Sequence, residues 1–416
     1  MKLRIKGGSR LRGRVRVSGA KNAALVLIAA SALAHGEVIL DNVPRISDVE
    51  TQLKIVRTLG AKSTWLGQNT VSLIWPDQVE SAPPYDLAKK LRASNLFLGA
   101  LAARQGRTEI PLPGGCNIGS RPMDLHLKGL RILGFEVGLE HGFIRARARQ
   151  LQGARVYLDF PSVGATENLI MAASGIPGTT VLENAAKEPE IVDLVSFLNA
   201  LGARIRGAGT DLIKIEGVRE LGGTRFSVIP DRIEAGTYMI AAGIAGEEVT
   251  VENVIVTHLQ SVIAKLEDVG LEVEPGEDSL TVRNKGELRA TDIKTLPYPG
   301  FPTDLQSPMM SLLCLARGTS LIVENVFENR FQVADELKRM GGRIRVKGHM
   351  AVVEGGAKLF GTQVKATDLR AGAALLLAGL AAEGETEICQ AELLARGYEG
   401  VVEKFTALGA RVENIS

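Results

Sequence analysis

The chain has 416 residues, 45% of them hydrophobic and 23% charged, a globular composition that excludes disordered and low-complexity classes and suits two or three domains of ~100–200 residues. Lys plus Arg number 49 against 47 Asp plus Glu, a net charge of +2, and aromatics are only 4%, so neither nucleic acid nor an anionic membrane is favoured as partner. Three widely spaced cysteines and five histidines without an HxxH or HExxH pattern argue against a disulfide framework and a metal site, and for a reducing cytoplasm.

The first predicted elements are strands. Leu3 and Ile5 alternate with Lys2, Arg4 and Lys6, and Val15 and Val17 with Arg14 and Arg16. Alternation of this kind marks a strand with one buried face. The apolar run AALVLIAASALA at 23–34 follows basic residues and has the outline of a secretory signal. It is shorter than the ~20 residues of a membrane span, and its pattern recurs downstream, which favours a core helix.

The recurrence is sixfold. An apolar helix, a Gly and a β-branched strand appear together at Gly36, Gly106, Gly178, Gly246, Gly318 and Gly384. An amphipathic helix, a Gly and a strand appear at Gly60, Gly134, Gly202, Gly270, Gly341 and Gly409. Both markers return about every 70 residues, the spacing of a structural repeat. Glycine just past a helix suits the C′ position, where φ is positive. Each unit reads helix–strand–helix–strand–turn–strand, so the expected class is α/β with six βαβαββ-type repeats. Three repeats per domain place the first domain at 20–229 and the second at 1–19 plus 230–416, with strand 2–6 completing the last repeat.

Candidate chemistry lies at the helix starts. SGAKNAA puts Lys21 and Asn22 before the first apolar helix, where Ser18 or Asn22 is a plausible cap. A cation at a helix N-terminus is unfavourable unless an anionic ligand offsets it. The motif is no Walker loop, so nucleotide hydrolysis does not follow. Arg92 stands before the second apolar helix. The stretch PLPGGCNIGSRPMDLH at 111–126 differs from its five counterparts. Cys116, after two glycines and near Arg121, is the one thiol set for reactivity. Cys314 and Cys389 read as small core hydrophobes. Asp231, Arg232 and Glu234 open another helix. Asp304 is either an N-cap or a base for a substrate hydroxyl. Asp368 and Arg370 open the last apolar helix, and Arg396 precedes the final one. In a pseudo-threefold domain these helix starts point one way. Two such domains facing each other would enclose a cleft of positive potential suited to a small anion.

In this order SGAKNAAL, LRASN, LPGGCNIGSRPMDLH, SVGAT, AAKEPEIVD, PDRIEAGT, FPTDLQ, ENVFENRF, TDLRAGA and RGYEG resemble the enolpyruvyl transferases, in particular the branch acting on UDP-N-acetylglucosamine. The likeness runs from about residue 1 to 413. It implies a two-domain inside-out α/β barrel. It also implies transfer of the enolpyruvyl group of phosphoenolpyruvate to the sugar 3′-hydroxyl, the opening step of peptidoglycan synthesis, in the cytoplasm. No metal, organic cofactor or obligatory protein partner is implied. By the resemblance Cys116 is a general acid that can form an adduct with phosphoenolpyruvate, and Lys21, Arg121 and Arg396 clamp that substrate. Asp304 contacts the 3′-hydroxyl, and Asn22 and Val326 the sugar. The nucleotide-diphosphate site draws on Arg92, Arg121, Pro122, Met123, Asp124, Leu125, Ser162, Val163 and Gly164, and Arg370 belongs to the substrate contacts. Ala395 stands where many relatives have Asp, Phe160 where some have Lys, and Met123 where a β-branched residue is usual. The alternatives are another enolpyruvyl transferase, a regulatory UDP-sugar-binding paralogue and a DNA-encircling clamp; the last is disfavoured because basic residues gather at helix starts.

Overall fold

The computed structural model describes residues 1–112, 119 and 123–415, with Lys90 and Arg92 described through their backbone alone. The described residues form two compact units, 1–18 with Gly119 and 230–415, and 19–112 with 123–229. No described helix is long and apolar enough to cross a membrane.

In the 19–229 unit three helices, Lys21–Ala30, Phe97–Gln105 and Val163–Ser174, are buried nearly all round. Every residue from Ala23 to Ala30 is buried, the pattern of a helix enclosed by other elements. Small residues make that possible: a Cβ on Gly99 would lie 2.1 Å from the Asn168 carbonyl oxygen. Sheets cover these helices. One runs Thr224–Ser227, Val38–Asp41, Val71–Ile74, Lys62–Trp65. Another runs Arg155–Tyr157, Thr179–Glu183, Leu212–Glu216, Arg204–Arg206. In both, two parallel strands carry an antiparallel pair on one side, and in the second sheet the parallel strands are joined through the Val163–Ser174 helix. The third has three strands, Arg107–Pro111, Phe143–Ala148 and Phe135–Glu140. The Glu109 N–H reaches the Ser81 carbonyl at 2.8 Å on its open edge.

The other unit repeats the plan around helices Arg232–Ala245, Gln306–Leu315 and Leu369–Ala381. Its last sheet takes its third strand from the N-terminus. Lys2–Lys6 lies antiparallel between Glu385–Cys389 and Arg411–Ile415, with Leu3 opposite Ile388. Leu3 and Ile5 are fully buried there. Strand Leu11–Arg16 lies parallel to Gly246–Glu252, yet the chain then runs into the Lys21–Ala30 helix of the other unit. Strand Thr224–Ser227, parallel to Val38–Asp41, runs on into Arg232–Ala245. The two units have thus exchanged the helices that follow these strands.

All six glycines of the amphipathic-helix marker have positive φ, from 94° at Gly134 to 111° at Gly202. The other marker divides. Gly106, Gly178, Gly318 and Gly384 have positive φ, but Gly246 is extended at φ −88°, and Gly36 is not in the left-handed region either. The expected C′ role fails at these two for lack of space: a Cβ would stand 2.8 Å from the Gly223 nitrogen at Gly36 and 2.5 Å from the Ala242 oxygen at Gly246. Close backbone approach, rather than handedness, requires glycine there.

A further recurring feature is an asparagine at the end of the strand that follows three of the core helices. Asn42, Asn184 and Asn253 have φ between 56° and 59°. Their Nδ2 groups donate to the carbonyls of Val228, Leu158 and Val17 on the neighbouring parallel segment. The corresponding place in the second repeat is Leu112, where the cysteine-bearing stretch begins.

Candidate active site

In the 19–229 unit, Lys21 is the first residue of its helix, and its Nζ lies 2.6 Å from Asp48 Oδ2. Both side chains are largely buried, 12% and 7% exposed. The cation at the helix start thus has an anionic partner within its own unit. The expected caps are corrected. The N-cap is Ala20, with no side-chain capping bond, while Ser18 Oγ is engaged by Lys404. Asn22 is exposed in the first turn.

The residues expected at the nucleotide diphosphate lie on adjoining elements. Arg92 begins the 3-10 turn Arg92–Leu96 that leads into Phe97–Gln105. Asn95 of that turn contacts Met123 Sδ at 3.7 Å. Met123 is buried, and Asp124 and Leu125 begin the next helix. His126, one residue on, packs on Gly164, where a Cβ would meet its Nε2 at 3.2 Å. Ser162 caps the Val163–Ser174 helix by accepting the Ala165 N–H at 3.4 Å. Arg92, Met123, Asp124, Leu125, Ser162, Val163 and Gly164 thus stand at the starts of three helical elements, positions where helix N-termini favour anions. His126 was not singled out in the sequence. Burial, against the opposing pull of Asp124, pushes its pKa down to about 4, so it is neutral at pH 7. Cys116, Arg121 and Pro122 lie outside the described residues.

The helix Pro189–Ala200 adds a buried acidic group that was also missed: Glu188, Glu190 and Asp193 are at most 8% exposed. Asp193 Oδ2 accepts the Ile229 N–H at 3.4 Å. Burial raises its pKa to about 7; the Ile229 N–H opposes this and Glu190 adds to it. The unfolded carboxyl titrates near ~3.9, so between about pH 4 and 7 the native chain holds a proton that the unfolded chain has lost. Stability must fall as pH rises through that window, by roughly 3–5 kcal/mol in total. Asp193→Asn, neutral throughout, is expected to flatten this slope and to be more stable than the parent at pH 8. Denaturant midpoints at pH 5 and pH 8 check it, and parallel pH profiles for the two proteins would refute it.

In the other unit Asp304 lies in the 3-10 turn Thr303–Leu305 and caps no helix by its side chain. The N-cap alternative is therefore dropped. Its two oxygens accept from Arg330 at 2.8 Å and Arg370 at 2.7 Å. Burial alone would raise its pKa, but the two guanidiniums overturn that and hold it well below the usual carboxylate range. Arg370 lies buried in the first turn of Leu369–Ala381, capped by Asp368, and its guanidinium stands over the Tyr398 ring. Arg330 is 2% exposed. Glu324 ties this corner together. It accepts from Thr303 Oγ1 at 2.9 Å, Thr295 Oγ1 at 2.8 Å and the Val326 N–H at 2.8 Å. Val326 and Thr303, the residue before Asp304, are thereby fixed to one buried carboxylate. Arg396 ends the 3-10 turn Ala391–Arg396, half-buried, after an exposed Ala395.

Arg330 and Glu324 were missed because a lone Arg or Glu in a loop reads as solvated. The stretch ENVFENRF held the signal, and only Val326 was taken from it. Cys314 is buried, and burial pushes its thiol up to about 12. Cys389 is half-buried in its strand. Among the described residues no cluster of three or more His, Cys, Asp or Glu is arranged to hold a metal ion. Within the unit that holds Asp304, the carboxylate and the guanidiniums of Arg330 and Arg370 form one buried charged group.

The family model of EPSP synthase (3-phosphoshikimate 1-carboxyvinyltransferase) matches residues 5–405. UDP-N-acetylglucosamine 1-carboxyvinyltransferase 2 of Carboxydothermus hydrogenoformans is 54% identical over 414 residues, 99% of each chain. The UDP-N-acetylglucosamine 1-carboxyvinyltransferase of Halothermothrix orenii is 51% identical over 414 residues, 100% of this chain and 99% of that one. Among solved structures, the enolpyruvyl transferase NikO from Streptomyces tendae matches with a TM-score of 0.90 at 29% identity, over 99% of this chain and 98% of that one. EPSP synthase from Acinetobacter baumannii, at 19% identity and TM-score 0.77 over 100% of each chain, shares the fold.

Proposed function

We infer the function of this chain from one premise: it belongs to the EPSP synthase family of enolpyruvyl transferases. The chain transfers the enolpyruvyl group of phosphoenolpyruvate to the 3′-hydroxyl of UDP-N-acetylglucosamine and releases phosphate. The observation that carries this reading is identity of 51–54% over nearly the whole chain to transferases named for that sugar nucleotide. The reaction opens peptidoglycan synthesis and takes place in the cytoplasm. The architecture that goes with it is an inside-out α/β barrel of six repeats, three in domain 20–229 and three in domain 1–19 plus 230–416.

The chemistry is addition followed by elimination. The sugar oxygen attacks C2 of phosphoenolpyruvate while C3 gains a proton, which gives a tetrahedral intermediate. C3 then loses a proton, the bond from C2 to the phosphate oxygen breaks, and phosphate leaves. Cys116 supplies the proton to C3. Lys21, Arg121 and Arg396 hold the phosphate and carboxylate, the guanidiniums by paired hydrogen bonds and the ammonium as a point charge. Asn22 and Val326 hold the sugar. Arg92, Arg121 to Leu125, and the Ser162–Gly164 helix start hold the diphosphate. Asp304 receives the 3′-hydroxyl. Clamped by two arginines it is a weak base.

Phosphate release measured with UDP-N-acetylglucosamine against shikimate 3-phosphate tests the reading; turnover with the second compound alone would refute it. Arg396→Ala is expected to raise KM for phosphoenolpyruvate about tenfold or more and to lower kcat. Unchanged values would show that Arg396, behind Ala395, has no part in the clamp.

A further inference from the structure

The loop between strand Ile293–Lys294 and the turn Thr303–Leu305 leads the chain to Asp304, and both its ends are tied to one side chain of another segment. Glu324 Oε1 accepts from Thr295 Oγ1 at 2.8 Å, and Oε2 from Thr303 Oγ1 at 2.9 Å. Oε1 also accepts the Val326 and Phe327 N–H groups, at 2.8 Å and 3.1 Å. Glu324 is 1% exposed and Thr295 is fully buried. The backbone beside them is closed as well. The Thr295 N–H donates to the Val323 carbonyl, and the Asn325 side-chain amide to the Thr295 carbonyl, each at 3.0 Å.

Burying a carboxylate is costly unless hydrogen bonds compensate it, and apolar groups of the same shape in place of both partners can be nearly neutral. Closing the loop is therefore no reason in itself for a carboxylate. What its two acceptor oxygens add is a hold on two hydroxyls and two backbone N–H groups at fixed points. Those donors surround Asp304 and Val326. The Val326 N–H is one of them, and Thr303 immediately precedes Asp304. Phe327 carries the ring over which the Arg330 guanidinium stands, 5.4 Å from the centroid, and Arg330 bonds Asp304 at 2.8 Å.

We propose that Glu324 is a positioning residue for the sugar nucleotide: by holding Thr303, Val326 and Phe327 on one carboxylate it fixes the place of Asp304 relative to Val326. All these residues belong to one compact unit. The proposal rests on the reading that Asp304 receives the 3′-hydroxyl and Val326 holds the sugar. Glu324 touches no substrate in this scheme, and none of the groups it holds is in the phosphoenolpyruvate clamp. Its loss thus weakens binding of the sugar nucleotide and slows turnover while phosphoenolpyruvate binding persists.

Steady-state kinetics of the full-length variants with both substrates test the proposal, with Asp304→Asn as reference. Glu324→Ala is expected to raise KM for UDP-N-acetylglucosamine about tenfold and to lower kcat about tenfold, with KM for phosphoenolpyruvate changed less than about twofold. Glu324→Gln keeps an oxygen for the N–H groups and an amide that can donate to Thr303 Oγ1, and is expected to stay within about twofold of the parent. Should Glu324→Ala not fold, Glu324→Asp, one methylene shorter and unable to span both threonines, is expected to raise the sugar-nucleotide KM about fivefold. Near-normal kcat and KM in Asp304→Asn would overturn the reading of Asp304 and this proposal with it. An impaired Asp304→Asn beside unchanged kinetics in Glu324→Ala or Glu324→Asp would overturn this proposal alone. So would an equal rise of both KM values, the mark of general loosening, or a Glu324→Gln variant as impaired as Glu324→Ala.

Discussion

Asp304→Ala is expected to cut kcat by about a thousandfold, within the 10²–10⁴ range of a lost general base, and to lower stability as well. The carboxylate lies 2.8 Å from Arg330 and 2.7 Å from Arg370, whose side chains are 2% and 6% exposed. Its removal leaves two buried guanidiniums facing each other without an anion. Loss of one partner from a buried pair costs about 3–5 kcal/mol. For a unit of about 200 residues that lowers Tm by roughly 6 °C or more. Asp304→Asn separates the two effects. The amide keeps the shape and one acceptor, so much of the stability returns, but it cannot take a proton. A near-normal kcat in Asp304→Asn would reduce Asp304 to an orienting group, and an unchanged Tm in Asp304→Ala would contradict the pairing geometry.

Cys116→Ala is expected to lower kcat by about 10²–10⁴, the contribution of a positioned general acid, with the melting temperature unchanged. Cys116→Asp is expected to recover a substantial part of the rate, because a carboxyl can also deliver a proton to carbon. Turnover and thermal melts of both variants decide the matter. Near-normal turnover in Cys116→Ala would remove the thiol from the chemistry. Equal loss in both variants would point to the covalent adduct, which oxygen does not replace, rather than to proton transfer.

Much of this molecule is legible in one sequence because it is periodic. The amphipathic-helix glycines share one conformation, so a single local rule, positive φ past a helix, identifies six helix ends at once. Polar residues at the starts of apolar helices stand out for a similar reason: charge beside a run of buried Ala and Leu is locally anomalous. Lys21, Asp304 and Arg370 were found that way. Their partners were not. Asp48 and Arg330 lie in ordinary amphipathic or loop sequence, and only packing reveals that they are buried and paired. Gly36 and Gly246 mislead because the same residue type answers two demands, a left-handed backbone and a close backbone approach.

The sequence by itself determined the α/β class and the positions where charge meets a buried helix, since each follows from short-range patterns of burial and backbone conformation. The tertiary structure alone decided which segments share a sheet and which charges share a contact. Strand Leu11–Arg16 pairs with Gly246–Glu252 and Thr224–Ser227 with Val38–Asp41, pairings between segments far apart in sequence that no local propensity encodes. The basicity of Asp304 was likewise decided in three dimensions. A carboxylate's proton affinity depends on the charges within a few ångströms, and here those charges arrive from residues 26 and 66 positions away.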